Sequence, residues 1–338
     1  MKAMVYTKFG PPDVLHLEEV EKPAPKENEL LIRVHAASAN AYDWRHLRAD
    51  PFFIRLMGAG LLKPKHKILG ADIAGRVEAV GGKVKQFQPG NEVFGECSYG
   101  GFAEYVCVDE NRFVLKPVHL SFEEAAAAPM AALTALQGLR DKGRIQAGQK
   151  VLINGASGGV GTFAVQIAKS FDTEVTGVCS TAKMDLVRSI GADHVIDYTR
   201  EEVTENKQQY DLIFDTAAYR SISKYKRILR PGGNYVLAGG SMLRIFQLML
   251  KSMTGAKNMG LIVAKTKQKD LLFMIELMKT GKVKSIIDKR YPLNETAEAL
   301  RYLEEGRARG KIVITVPENV NKTLFPGSGT DSKESFSS

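Results

Sequence analysis

The segment that most limits what this chain can fold into is residues 150–168, KVLINGASGGVGTFAVQIA, where an apolar strand passes through a glycine-rich turn into an amphipathic helix. Four glycines between Gly155 and Gly161 leave the backbone bare at the hand-over. Gly158 lets the main chain approach a pyrophosphate and Gly161 lets the helix pack against the strand, while the amides of the first helical turn point at the anion. Ala156 stands where the usual G-x-G-x-x-G spacing has its first glycine, a position where a small residue suffices if the turn shifts slightly. Ala156, Ser157, Gly158, Gly159, Val160 and Gly161 are therefore the first candidates to hold a dinucleotide.

The residues that follow support this reading. Strand-like and helix-like segments alternate over 174–178, 183–190, 194–197, 211–215, 223–229 and 235–238, a pattern that builds a parallel, doubly wound α/β sheet. In such a sheet the second strand ends about 20 residues past the glycine loop, where an acid selects NAD over NADP. Here that strand end reads GVCSTAK, with no carboxylate. Ser180 and Thr181 can donate hydrogen bonds and Lys183 supplies charge, so NADPH is the expected cofactor.

The same loop also spells G-x-S-x-G from Gly155 to Gly159, the nucleophile-elbow pattern of α/β-hydrolases, with Ser157 at its centre. A hydrolase needs an acid and then a histidine downstream, and the only histidine after Ser157 is His194.

From Lys2 to about Lys116 the pattern is short and alternating, punctuated by Gly-Pro, Gly-Gly and Pro-Gly turns, and predicts a mostly β barrel or sandwich. At Ser121 the grammar changes: Ser121 and Glu124 form a capping box ahead of an Ala-rich helix, which marks the domain boundary. A helix, a strand, a helix and a last strand after about residue 265 are expected to return to the first domain, and the polar tail 317–338 to be disordered. At 44% apolar and 25% charged residues, the rest of the chain is that of a globular protein.

A net charge of +9 favours anionic ligands, phosphate-bearing cofactors and nucleic acid alike. Three cysteines, Cys97, Cys107 and Cys179, without Cys-x-x-Cys spacing, give no disulfide framework or multi-cysteine zinc site and suit a reducing cytoplasm. Neither a signal peptide nor an apolar run long enough to span a membrane is evident.

Several motifs in order, SANAYDW at 38–44, LGADIAGRVEAVG at 69–81, Ala125 to Gly138, NGASGGVG at 154–161, GADHVIDY at 191–198 and GKIVI at 310–314, make the chain resemble the zinc-independent, zeta-crystallin-like quinone oxidoreductase branch of the medium-chain dehydrogenase/reductase superfamily. PFFIRLM at 51–57 and GSMLRIFQLM at 240–249 resemble its chloroplast-envelope quinone oxidoreductase subgroup. The resemblance implies a GroES-like catalytic domain over 1–122 and 266–316, a Rossmann NADP-binding domain over 123–265, and a homodimer. It places Asn40 and Thr134 beside the nicotinamide and substrate, Tyr198 on the 2′-phosphate, and Gly239, Gly240 and Ser241 in the loop next to the nicotinamide. Zinc-dependent relatives hold their metal with a Cys and a His where this chain has Ala37-Ser38-Ala39-Asn40 and Gly70-Ala71-Asp72, so no zinc is expected.

The implied reaction is hydride transfer from NADPH to a lipophilic quinone or α,β-unsaturated carbonyl, with the Asn40 amide stabilising the oxyanion and solvent or Tyr42 supplying the proton. Oxidation of a secondary alcohol and a non-catalytic, crystallin-type NADPH binder are the alternatives. The apolar run Met242 to Met253 is a candidate lid. Nucleic acid as a partner and membrane insertion are not expected.

Overall fold

The computed structural model describes residues 1–205, 208–218, 220–240, 248 and 258–317. Ser241, most of the Met242 to Met253 run and nearly all of the polar tail fall outside them.

The front of the chain contributes β1 (Lys2–Val5), β2 (His16–Glu19), β3 (Glu29–Ala39), a helix α1 (Ala41–Arg48), β4 (Asp72–Val80), β5 (Glu92–Glu96), β6 (Tyr105–Asp109) and β7 (Phe113–Leu115). The long strand β3 organises this half. Along one edge it pairs with β4, and on the other it pairs with β6 over 29–33 and with the C-terminal strand Lys311–Thr315 over 36–39. Sharing one strand among three partners curls the sheet around a core of Leu30, Ile32, Val34, Ile73, Val93, Phe102 and Phe113.

Ser121 then caps α2 (Phe122–Ala126): its Oγ accepts from the Glu124 amide at 3.1 Å, and the Glu124 carboxylate accepts from the Ser121 amide at 2.9 Å. This is the capping box the sequence predicts. Helix α3 (Pro129–Gln137) follows, buried on almost every side.

Six strands then alternate with helices: β8 (Lys150–Asn154), α4 (Gly159–Ser170), β9 (Glu174–Cys179), α5 (Met184–Ser189), β10 (His194–Asp197), β11 (Tyr210–Asp215), α6 (Ile222–Arg227), β12 (Leu229–Leu237) and β13 (Met259–Leu261). All pair in parallel, in the order β10-β9-β8-β11-β12-β13. Counting from β8, that is the 3-2-1-4-5-6 order of the doubly wound dinucleotide fold.

The chain ends its ordered course with α7 (Gln268–Lys279), β14 (Ile287–Pro292), α8 (Thr296–Glu304) and β15 (Lys311–Thr315). Strand β15 pairs antiparallel with β3, so Lys311 arrives beside Asn40, at the seam between the two sheets.

Candidate functional site

The sheet order reverses between β8 and β11, and the crevice outside the carboxyl ends of such strands is where ligands bind in open α/β sheets. A cavity of about 260 Å³ lies there, lined by Asn154, Gly155, Ser157 and Gly158 from the glycine turn and Ser180 and Lys183 from the end of β9. Gly306 and Ala308 close it from the far side of the seam. A second cavity of about 500 Å³ shares Asn154, Val178 and Tyr198 with it and extends to Glu202, Arg220 and Tyr225.

The turn itself explains its glycines. Gly155, one position earlier than the usual spacing, carries the left-handed backbone at φ +78°, so Ala156 adopts an ordinary conformation and is fully buried. A Cβ on Gly161 would lie 2.0 Å from the Gly155 carbonyl oxygen, which fixes the close packing of helix on turn. Around Gly158 the backbone is open: its Cβ would meet nothing of the protein nearer than 3.5 Å, leaving that side to a ligand. Helix α4 starts one residue past Gly158, which lines the cavity, and the unpaired amides of a helix's first turn, with its dipole, suit a diphosphate.

At the end of β9, where the local sequence has no carboxylate, the fold brings one in from the neighbouring strand. Parallel pairing sets Asp197 of β10 opposite Cys179, and its carboxylate accepts from the hydroxyls of Thr181 and Thr199 and from the Thr199 amide. Those hydrogen bonds, led by Thr181, hold Asp197 below the usual carboxylate range. The Thr181 hydroxyl is thus already engaged, and neither it nor Asp197 lines the cavity. Ser180, Lys183 and Tyr198 do. Lys183 reaches across the seam to donate to the Ala308 carbonyl at 3.0 Å; burial, and then the neighbouring Arg309, lowers its pKa.

The most unusual feature is a buried charged network around Asn40. Lys311 Nζ donates to Asn40 Oδ1 at 2.6 Å and lies 3.7 Å from Asp72 Oδ2, with both charged residues almost fully enclosed. Asp72 also accepts from Asn40 Nδ2 at 3.0 Å, Ser38 Oγ at 3.2 Å and the Met130 amide at 3.1 Å. Asp43 accepts from the amides of Asn40 at 2.8 Å and Gly70 at 3.0 Å. Burial pushes Asp72 up to about 6, against the pull of Lys311, and pushes Asp43 up to about 7. The Lys311 aliphatic stem lies against the glycine turn, 3.1 Å from where a Gly159 Cβ would stand. Its ammonium is therefore a charge that the sequence reading missed, although Lys311 sits in the GKIVI motif.

This geometry revises the role expected of Asn40. Both N–H groups of its side-chain amide are engaged, one by Asp72 and one by the Ser38 carbonyl at 3.2 Å, so it is a fixed link rather than a free oxyanion donor. Thr134 donates back to the Met130 carbonyl at 2.7 Å within α3, one turn from the amide that binds Asp72. Tyr42, half-buried on α1, stacks near His46 and Tyr99, and burial raises its pKa. Gly239 and Gly240 both take positive φ at the end of β12, and the Gly240 carbonyl accepts from Arg45 of α1 at 3.1 Å.

One rival chemistry loses its residues here. His194 stands level with Leu152 across the sheet, and its ring bonds Glu174 at 3.1 Å, away from the turn that carries Ser157, so no serine–histidine pair forms. Among the described residues no group of three or more His, Cys, Asp or Glu side chains is arranged to hold a metal ion. Ala71 offers no donor atom beside this network, and the Asp72 carboxylate lies 3.7 Å from the Lys311 ammonium.

The comparisons with known proteins agree with this architecture. Residues 26–118 match the family model described as an alcohol dehydrogenase GroES-like domain, and residues 190–314 match the one described as a zinc-binding dehydrogenase. The 2-methylene-furan-3-one reductase of Solanum lycopersicum is 34% identical, with 93% of this chain and 79% of that one aligned. The chloroplast envelope quinone oxidoreductase homolog of Arabidopsis thaliana is 32% identical over 93% and 98%. The structure of the quinone oxidoreductase from Coxiella burnetii superposes with a TM-score of 0.85 at 29% identity, covering 94% of this chain and 99% of that one. A doubly wound nucleotide sheet joined to a GroES-like sheet defines a nicotinamide-dependent oxidoreductase class. The chain belongs to the medium-chain dehydrogenase/reductase superfamily, within its quinone oxidoreductase branch.

Proposed function

We propose that this protein is an NADPH-dependent reductase of quinones or α,β-unsaturated carbonyls that works without zinc. The observation that carries the reading is the cavity at the sheet's switch point, which joins a bare glycine turn to Ser180 and Lys183. Similarity to the NADPH-dependent alkenal/one oxidoreductase of Arabidopsis thaliana, 34% identical over 93% of this chain, supports the cofactor and acceptor class.

The residues divide the work. The α4 amides and the open backbone at Gly158 hold the diphosphate, while the Lys311 stem packs against Gly159 and its ammonium is held by Asn40 and Asp72. Lys183, Ser180 and Tyr198 receive the 2′-phosphate. Asn40 is a positioning residue that holds Lys311 and Asp72 in register, and Thr134 and the Gly239–Gly240 loop border the nicotinamide end. Bound NADPH supplies the hydride. Tyr42, kept protonated by burial, donates to the substrate oxygen, and the final proton comes from solvent.

The catalytic unit is read as 1–122 with 266–316 and the cofactor unit as 123–265, in a cytoplasmic homodimer. Among the described residues no helix is long and apolar enough to cross a membrane. The test is isotopic. NADPH deuterated at the transferred C4 position and mixed with a medium-chain enone should give a saturated ketone one mass unit heavier at the β-carbon. Unlabelled product, or no product, rejects the hydride-transfer reading.

A further inference from the structure

The stretch between α1 and β4 carries a surface that the reductase reading leaves unused. Phe52 is 62% exposed, Leu56 70%, Leu61 55% and Leu62 87%, one after another along a single excursion of the chain. Isolated exposed apolar side chains are ordinary, but a contiguous set marks an interaction site. The excursion is also uniformly basic: residues 51–67 contain Arg55, Lys63, Lys65 and Lys67 and no Asp or Glu. The three lysines are exposed and form no ion pair among the described residues.

The excursion has a defined shape. Arg55 lies over the rings of Phe9, at 4.6 Å, and Phe52, at 5.2 Å. The Lys65 amide donates to the Ala59 carbonyl at 2.8 Å, Pro64 is buried, and His66 stacks on Tyr99 with ring centroids 4.0 Å apart. Exposed Phe and Leu side chains and unpaired, exposed lysines are thus carried together on one held excursion. Exposed apolar side chains beside exposed cations match the chemistry of a bilayer surface, acyl chains beneath negatively charged headgroups.

We propose that residues 51–67 dock this protein on the surface of an anionic phospholipid membrane, with Phe52, Leu56, Leu61 and Leu62 entering the headgroup–acyl boundary and Lys63, Lys65 and Lys67 on the lipid phosphates. Charge complementarity selects this occupant, because Lys63, Lys65 and Lys67 pair with no acidic residue among the described residues and the stretch 51–67 contains none. Docking is peripheral. Helix α1, eight residues and so about 12 Å long, joins the excursion to Asn40, which brings the candidate site close to a reservoir of lipophilic acceptors.

The test is co-sedimentation of the full-length protein with extruded vesicles of phosphatidylcholine alone or with 30 mol% phosphatidylglycerol (about a third of the lipid, enough for a strong negative surface potential). Binding to the anionic vesicles should be at least about tenfold tighter and weaken with salt. Phe52→Ser/Leu56→Ser/Leu62→Ser and, separately, Lys63→Glu/Lys65→Glu/Lys67→Glu should each lose it by about tenfold or more, with unchanged thermal midpoints and unchanged NADPH oxidation by a water-soluble quinone. Equal binding to both vesicle types, or to neither, overturns the proposal. So does a wild-type dimer that the apolar triple variant converts to monomer, which would assign the patch to a second copy of the chain. Vesicle binding is read without turnover, so its failure is distinct from failure of the reductase reading.

Discussion

Replacing Lys311 by Met removes the cation that faces Asp72 while nearly preserving side-chain length, so the change is chiefly electrostatic. At the observed separation of 3.7 Å and an effective dielectric constant near 20, the lost attraction is about 4.5 kcal/mol, or roughly three pH units. The Asp72 carboxyl, held at about 6 in the intact network, should then titrate near ~9. The sign follows from linkage. A folded-state pKa above the unfolded value gives stability that is present at low pH and lost as pH rises through the folded pKa. At pH 5 the carboxyl is mostly protonated in both proteins. At pH 8 the wild type has released the proton and formed the pair, whereas the variant must keep it. The stability difference should therefore grow by about 2.7 kcal/mol from pH 5 to pH 8, with the variant the weaker at the higher pH. Urea unfolding of both proteins at the two pH values measures this directly. A difference that stays constant within about 0.5 kcal/mol would refute the claim that Lys311 holds the Asp72 charge.

Three further outcomes follow from the same geometry. Asp43, raised to about 7 by burial, should cost the wild type stability as pH rises from about 4 to 7, contributing a slope approaching 1.4 kcal/mol per unit; Asp43→Asn cannot ionise, so its stability by urea unfolding should fall less steeply by that amount, keeping only the loss that Asp72 contributes up to about 6. Gly161→Ala places a Cβ 2.0 Å from the Gly155 carbonyl oxygen, and should lower stability by about 2–4 kcal/mol and weaken NADPH binding at least about tenfold by fluorescence titration, because the turn must open. Lys183→Ala removes a charge-assisted contact of about 1.5–3 kcal/mol, so Kd for NADPH should rise roughly 10- to 150-fold while that for NADH is little changed; equal losses for both cofactors would remove Lys183 from the 2′-phosphate site.

Much of the fold is written locally. The alternation after Lys150 predicts β8 to β12 and their helices because each strand is a short apolar run bounded by turn residues, and the Ser121 capping box is a local exchange of two hydrogen bonds. Helix α1 escaped the reading because it buries only Asp43 and Leu47 and so has no apolar stripe. Its one local signal was Asn40 followed three residues later by Asp43, whose carboxylate takes the Asn40 amide. The start of β12 and the whole of β13 escaped for a related reason. One carries Pro231 and two glycines, and the other is only three residues long.

The candidate site divides along the same line. The glycine turn was legible because the demand for bare backbone is met within a few residues, although the left-handed position proved to be Gly155 rather than its neighbour. What could not be read are contacts made by sheet pairing between distant segments. Asp197 reaches Thr181 only because β10 lies beside β9, and Lys311 reaches Asn40 across a separation of 271 residues only because β15 closes on β3. Neither contact has a period or a spacing in the chain.

The most direct measurement of the central claim is the initial rate of reduced-nicotinamide oxidation after exhaustive dialysis against a chelator, with NADPH and NADH in parallel, against an ortho-quinone and a medium-chain enone. The account predicts turnover with NADPH that survives metal removal and is much weaker with NADH. Activity that disappears with the chelator and returns with zinc, or tight NADPH binding without turnover of either acceptor, would contradict it.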